Sequence, residues 1–304
     1  GVTGASAANE AAAEADLVIG IGTRLQDFTS GSRTLFERAG CKLVQINVAT
    51  HDAHKHGAQA VIGDAAAVLE ALAAKLEGWS APKAWRDANA SRVAAWNKAV
   101  DAAIAAPRSQ DKPSDAQVIG AVQRAADENA VVVCAAGGLP GELHKLWRTA
   151  KPGGYHLEYG YSCMGYEIAG GLGVKIAAPE RDVFVMVGDG SYLMMNSEIA
   201  TSVMLGKKLT IVVLDNRGYG CINRLQRATG SESFNNLLAD AEHETLPDVD
   251  FVAHAASLGA IAEKADNIAA LEAALARAKR ADRTSVIVID TDALKTTEAG
   301  GWWW

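Results

Sequence analysis

Short apolar runs punctuate the chain, and most end in glycine, aspartate or asparagine. Asp16 to Gly22, Lys42 to Val48, Val61 to Asp64, Ala130 to Ala135, Val183 to Val187, Leu209 to Leu214, Ala260 to Ala262 and Ser285 to Thr291 read as strands. Stretches of helical character separate them: Ala5 to Ala15, Leu35 to Ala39, Ala65 to Leu76, Asp115 to Glu128, Glu142 to Thr149, Cys221 to Gln226, Asp250 to Leu258 and Ile268 to Lys279. Strand alternating with helix predicts parallel sheets and an α/β fold. Pro82, Pro107 and Pro113 break a stretch that holds a helix from about Ala84 to Ala105. The expected organisation is two Rossmann-like units with parallel sheets, residues 1–78 and 114–304, joined by a connector over 79–113.

The sharpest pattern lies in the second unit. The run Val183 to Val187 stops abruptly at Gly188-Asp189-Gly190, and the next run, from Leu209, ends in Asp215-Asn216. Between them Asn196 or Ser197 can cap a helix that reaches about Leu205, with Gly206 to end it. This is a βαβ unit, and ligands of such sheets bind at the carboxyl ends of strands. Asp189 offers a hard anionic oxygen and Asn216 a neutral one, the donor types a magnesium ion takes together with backbone carbonyls and phosphate oxygens. The flanking glycines allow close backbone approach to a diphosphate. A helix beginning at Asn196 would add partial positive charge. A plain strand-end turn would explain Gly-Asp-Gly alone. The asparagine 27 positions beyond Asp189, with a helix and a strand between, favours a metal–diphosphate site.

Composition narrows the class. The 304 residues suit about two domains, with 49% apolar and 21% charged residues and a net charge of −7, which argues against a nucleic-acid surface. No run is apolar and long enough to span a membrane, and the start lacks the basic and apolar regions of a signal peptide. Cys41, Cys134, Cys163 and Cys221 are far apart and read as reduced thiols, so a cytoplasmic location is expected. Both ends look cut, since Gly1 stands where Met would and Trp302-Trp303-Trp304 reads as a packing segment.

Lesser patterns lead to ordinary roles. Gly20-Ile-Gly22 lacks the third glycine of a dinucleotide fingerprint and reads as a tight turn. His51, His54 and His56 match no common metal spacing. Ala136-Gly-Gly-Leu-Pro-Gly141 is either a phosphate loop or a plain turn. Cys221 reads as a structural thiol. The polar stretch Ser231 to Asp250 is expected to cover the site as a mobile segment.

Gly188-Asp-Gly followed after one βα unit by Asn216 resembles the cofactor motif of thiamine diphosphate enzymes, and nearly the whole chain is similar to the acetohydroxyacid synthase type. The resemblance implies that residues 1 to about 78 are the later part of a central domain and that residues from about 114 form the diphosphate-binding domain. It implies thiamine diphosphate and Mg2+ as cofactors, with the metal on Asp189, Asn216 and the backbone carbonyl of Gly218. Gly137, Gly138, Leu139, Ser162, Met164, Gly188, Gly190, Ser191 and Tyr219 would contact the organic cofactor. Met164 would sit under the cofactor's bend, with backbone groups of Ser162 and Met164 at the pyrimidine edge, and Gly165, Ala169, Gly170 and Gly173 would permit close helix packing. The family's activating glutamate belongs to a pyrimidine-binding domain with no counterpart in these residues. No catalytic residue is therefore expected in this chain, because Glu142, Glu158 and Glu167 lie on the wrong domain. The family also implies a homodimer or homotetramer whose site a partner subunit completes. The stretches 160–171, 188–202 and 215–226 look most like members that hydrolyse a carbon–carbon bond of a cyclic dione in inositol catabolism. A carboligase or 2-oxo acid decarboxylase of the same family stays open, as does a non-catalytic nucleotide-binding module.

Overall fold

The computed structural model describes residues 1–107 and 111–297, so the three terminal tryptophans and part of the proline-broken stretch lie outside the described residues. Two compact units are present, Gly1–Asp101 and Ala102–Thr297.

The first unit carries α1 (Ser6–Glu14), β1 (Leu17–Ile21), α2 (Asp27–Ser30), β2 (Lys42–Asn47), α3 (Thr50–Ala53), β3 (Gln59–Ile62) and α4 (Ala65–Lys75), followed by α5 (Lys83–Ala103). Its strands pair in parallel in the order β1-β2-β3. Asp64 starts α4 by accepting hydrogen bonds from the Ala66 and Ala67 N–H groups. The helix expected over Leu35 to Ala39 is reduced to a 3-10 turn, Thr34–Phe36. Arg33 before it is left-handed and Gly40 follows closely, so the segment is too short to nucleate an α-helix. Leu17, Ile19 and Ile21 share one face of β1 and are each more than 40% exposed. A parallel sheet is normally covered on both faces.

The second unit runs α6 (Asp115–Ala125), β4 (Val131–Cys134), α7 (Gly138–Leu146), β5 (Tyr155–Leu157), α8 (Tyr166–Ala177), β6 (Val183–Gly188), α9 (Asp189–Met194), α10 (Glu198–Met204), β7 (Thr210–Asp215), α11 (Gly220–Ala228), α12 (Phe251–Ser257), β8 (Ile261–Ala265), α13 (Ile268–Arg280) and β9 (Ser285–Asp290). All six strands are parallel, in the order β5-β4-β6-β7-β9-β8. The central strands are apolar at successive positions because helices cover both faces. Val131, Val185, Ile211 and Val286 are almost wholly buried against Ile168 of α8, Tyr192 of α9 and Ile199 of α10. Each such side chain contributes roughly 1.5–3 kcal/mol when taken from water. Ser114 and Gln117 form a reciprocal capping box that fixes the start of α6.

Three local expectations change. Helix α7 begins at Gly138 rather than Glu142, since Pro140 fits a first turn and the left-handed Gly137 provides the entry. Residues Asp189 to Met194 are helical rather than a loop. Neither Asn196 nor Ser197 caps α10 with its side chain; the Asn196 amide instead donates to the Tyr192 carbonyl at 3.0 Å. Strand β5 is an addition, too short for its pattern to show.

Candidate functional site

The winding of the second sheet reverses beside β4. The chain steps from β4 to the edge strand β5, then returns to β6 on the other side. The loops leaving β4 and β6 diverge there, and such a crevice at strand carboxyl ends is where α/β sheets bind ligands. A cleft of about 270 Å³ occupies this place. Gly137, Gly138 and Leu139 reach it from β4. Gly188, Asp189, Gly190 and Ser191 reach it from β6, and Asn216, Gly218 and Tyr219 from β7. Ser162 and Met164 come from the loop before α8. All twelve residues singled out by the sequence thus line one cleft.

Asp189 is 6% exposed. Its Oδ2 accepts the Gly218 N–H at 2.8 Å, while its Oδ1 is buried without a hydrogen-bond partner. Asn216 Oδ1 is likewise buried and unpartnered. An unsatisfied buried oxygen costs about 1–3 kcal/mol, so two at one cleft demand an explanation. A hard cation with a phosphate supplies one, because both oxygens are of the type it takes. Among the described residues no group of three His, Cys, Asp or Glu side chains could hold a metal unaided. A cation here would therefore draw on Asn216, the backbone and the ligand's own oxygens. Burial first, and then the Asp215 carboxylate, push Asp189 up to about 6, against the N–H groups of Gly218, Gly190 and Asn216. A bound cation would hold it ionised.

The turn after β7 depends on Gly218, whose φ of 145° suits glycine. A Cβ there would stand 2.5 Å from the Asn236 carbonyl oxygen. The Tyr219 N–H donates to that oxygen at 2.7 Å, and the Leu238 N–H donates to Arg217 O at 2.9 Å. The stretch expected as a cover over the site is thus tied by its backbone to the turn carrying Asn216 and Gly218.

Glu167 joins three parts of the site. It is 1% exposed, and Ser191 Oγ lies 2.7 and 2.9 Å from its two carboxylate oxygens. The Gly165 N–H donates to Glu167 Oε2 at 3.0 Å and to Ser191 Oγ at 2.7 Å. Backbone N–H groups of Glu167 itself and Ala136 also face the carboxylate, although burial outweighs them and raises its pKa. One carboxylate therefore links the loops carrying Ala136, Met164 and Ser191. Nearby, Glu158 accepts the N–H groups of Tyr161 and Cys163 at 2.9 and 2.8 Å, and Ser162 between them is left-handed.

Helices α7, α9 and α11 all begin on the cleft, so the positive dipole ends come from these and not from the start expected at Asn196. Asp115 and Arg224 also line the cleft and were not legible as site residues. Burial raises Asp115 to about 6, with Arg224 opposing. Cys221 lines the cleft, and burial raises its thiol, which disfavours a reactive thiolate. In the first unit His54 Nδ1 lies 2.9 Å from Thr50 O and His56 Nε2 lies 2.8 Å from Leu25 O, backbone roles that need no metal. Among the described residues no helix is long and apolar enough to cross a membrane.

Comparison with known proteins bears directly on this cleft. Residues 135–289 match the thiamine pyrophosphate enzyme C-terminal TPP binding domain, and residues 1–72 match the thiamine pyrophosphate enzyme central domain. Similar curated proteins include 3D-(3,5/4)-trihydroxycyclohexane-1,2-dione hydrolases of Halalkalibacterium halodurans (38% identity, 100% of this chain and 51% of the relative), Bacillus cereus (39%, 100% and 52%) and Bacillus licheniformis (39%, 100% and 51%). The chain spans about half the length of the curated relatives it matches. The first match alone covers half of the chain and contains all twelve of these cleft residues, so the chain belongs to the thiamine pyrophosphate (thiamine diphosphate) enzymes.

Proposed function

We propose that this chain forms the diphosphate- and metal-holding part of an enzyme that opens the ring of 3D-(3,5/4)-trihydroxycyclohexane-1,2-dione by hydrolysing a carbon–carbon bond. The observation that carries the cofactor half of this reading is the pair of buried, unpartnered oxygens, Asp189 Oδ1 and Asn216 Oδ1, in the cleft at the sheet's reversal. The activity for which the similar proteins are named supports the substrate.

In this reading Asp189, Asn216 and the Gly218 carbonyl take Mg2+. The backbone of Gly137, Gly138, Leu139, Gly188, Gly190 and Ser191 lies along the diphosphate, with Tyr219 beside it. Met164 props the organic part and Ser162 and Met164 offer backbone groups to its pyrimidine. Thiamine diphosphate, when bound, supplies the electron sink that the carbon–carbon cleavage needs. The chain's own work is to bind, to orient and to shield. Glu167 keeps the loops of Met164 and Ser191 in fixed register, the preorganisation on which cofactor orientation depends. No proton donor to the pyrimidine is assigned among these residues, and a partner subunit would bring it. Exposed apolar side chains near the site, Tyr161, Leu193, Met194 and Met195, support association into a homo-oligomer.

Product analysis on the full-length protein tests the substrate. With thiamine diphosphate and magnesium, the dione should be consumed to the open-chain 5-deoxy-glucuronate while pyruvate is left untouched. Turnover of pyruvate with the dione unchanged would replace this reading with a carboligase or decarboxylase. Light scattering of the full-length protein should show a dimer or tetramer, and a monomer would refute the completed-by-a-partner site.

A further inference from the structure

We propose that Arg224 is a fixed cationic arm for the diphosphate, reaching over the first turn of α7. The proposal rests on the cofactor reading above. Three charged side chains line the cleft, Asp115, Asp189 and Arg224, so Arg224 is the one cation among the described lining residues. The loop Ala136-Gly-Gly-Leu-Pro140 offers a phosphate no side-chain donor. A diphosphate ester carries more negative charge than one divalent cation neutralises, and Asp189 already offsets part of that cation. Helix N-termini contribute only partial charges. A full positive charge would balance the remainder, and Arg224 is placed to give it.

The geometry fits such an arm. Nη1 of Arg224 donates to the Ala293 carbonyl at 2.6 Å, which pins one side of the guanidinium. Nη2 stands against Gly138, where any Cβ would collide with it. Gly138 is thus the seat of the arginine as well as the start of α7. Among the described residues no carboxylate oxygen lies within 4.0 Å of this guanidinium. A planar fork held at one end and open at the other suits a phosphate better than a lysine would. The buried, unpartnered oxygens of Asp189 and Asn216 in the same cleft point independently to a ligand there.

The alternative role is a strut that merely ties α11 to the segment at Ala293. Calorimetric titration of the 304-residue chain separates the two, with magnesium–thiamine diphosphate and magnesium–inorganic diphosphate as probes. Arg224→Gln should weaken both by roughly 10- to 100-fold, the loss expected of a charge-assisted hydrogen bond. Arg224→Lys should recover part of that loss, because it keeps the charge without the fork. Circular dichroism checks folding, and if Arg224→Gln does not fold, Arg224→Lys decides, with a partial loss of both affinities expected of the arm and none of a strut. A strut would lower the melting temperature and leave both affinities unchanged, and that result overturns the proposal. Failure of the wild-type chain to bind either probe would instead overturn the cofactor reading, and this proposal with it.

Discussion

Replacing Glu167 tests whether the site is held as one unit. The carboxylate accepts from Ser191 Oγ and from the Gly165 N–H, and both donors are buried with it. Glu167→Ala strands the Ser191 hydroxyl in part and one branch of the Gly165 N–H, at about 1–3 kcal/mol for each buried group left unsatisfied. Losing the expense of a buried carboxylate offsets part of this. The net expectation is a loss of about 2–4 kcal/mol in urea unfolding. Glu167→Gln keeps one acceptor oxygen at nearly the same volume and should cost about 1 kcal/mol. Ser191→Ala removes the other half of the contact. Because the two side chains touch, the double variant should deviate from additivity by more than about 0.5 kcal/mol. Additivity within about 0.3 kcal/mol would show that Ser191 and Glu167 act independently, and the picture of one carboxylate aligning the loops of Met164 and Ser191 would be wrong.

Gly218→Ala should cost about 1–3 kcal/mol by strain and by collision with the Asn236 carbonyl, and should weaken metal–diphosphate binding; unchanged unfolding would mean the turn relaxes freely. Asp115 is raised from its ordinary 3.8 to about 6, so its stabilising contribution is present below the unfolded value and lost as pH rises through about 6. From pH 5 to pH 7.5 the wild type should lose about 1.4 kcal/mol relative to Asp115→Asn, and a pH-independent difference between the two would remove the cause given, burial. Val185→Ala, in a fully buried strand position, should cost on the order of 2 kcal/mol without altering the cleft; a cost near zero would mean that position is loosely packed.

The second sheet was legible because its central strands, buried on both faces, write continuous β-branched runs into the chain, as at Val183 to Val187 and Leu209 to Leu214. The placing of Asp189 and Asn216 on one cleft was legible because a βα unit fixes the distance along the chain between two strand ends. What escaped was set by tertiary contact. Tyr155–Leu157 is too short for a period to show. The helix at Asp189 starts on glycines of low helix propensity, and packing of Tyr192 into the core overrides that preference. Arg224 sits on a helix whose pattern marks it as an ordinary polar position, and only the fold brings it to Gly138. Glu167 did leave a signal, a lone carboxylate inside the apolar, glycine-rich stretch Tyr166 to Ala177. Such a residue is seldom fully buried without partners, and Ser191 and Gly165 are those partners.

The central claim is that Asp189 and Asn216 hold a metal on a bound diphosphate, and a calorimetric titration of this chain with thiamine diphosphate, with and without magnesium, tests it most directly. Saturable binding should require magnesium, and Asp189→Ala should weaken it on the order of tenfold or more, with Asn216→Ala weakening it in the same direction. Affinity that ignores both the metal and the loss of Asp189 would contradict the assignment.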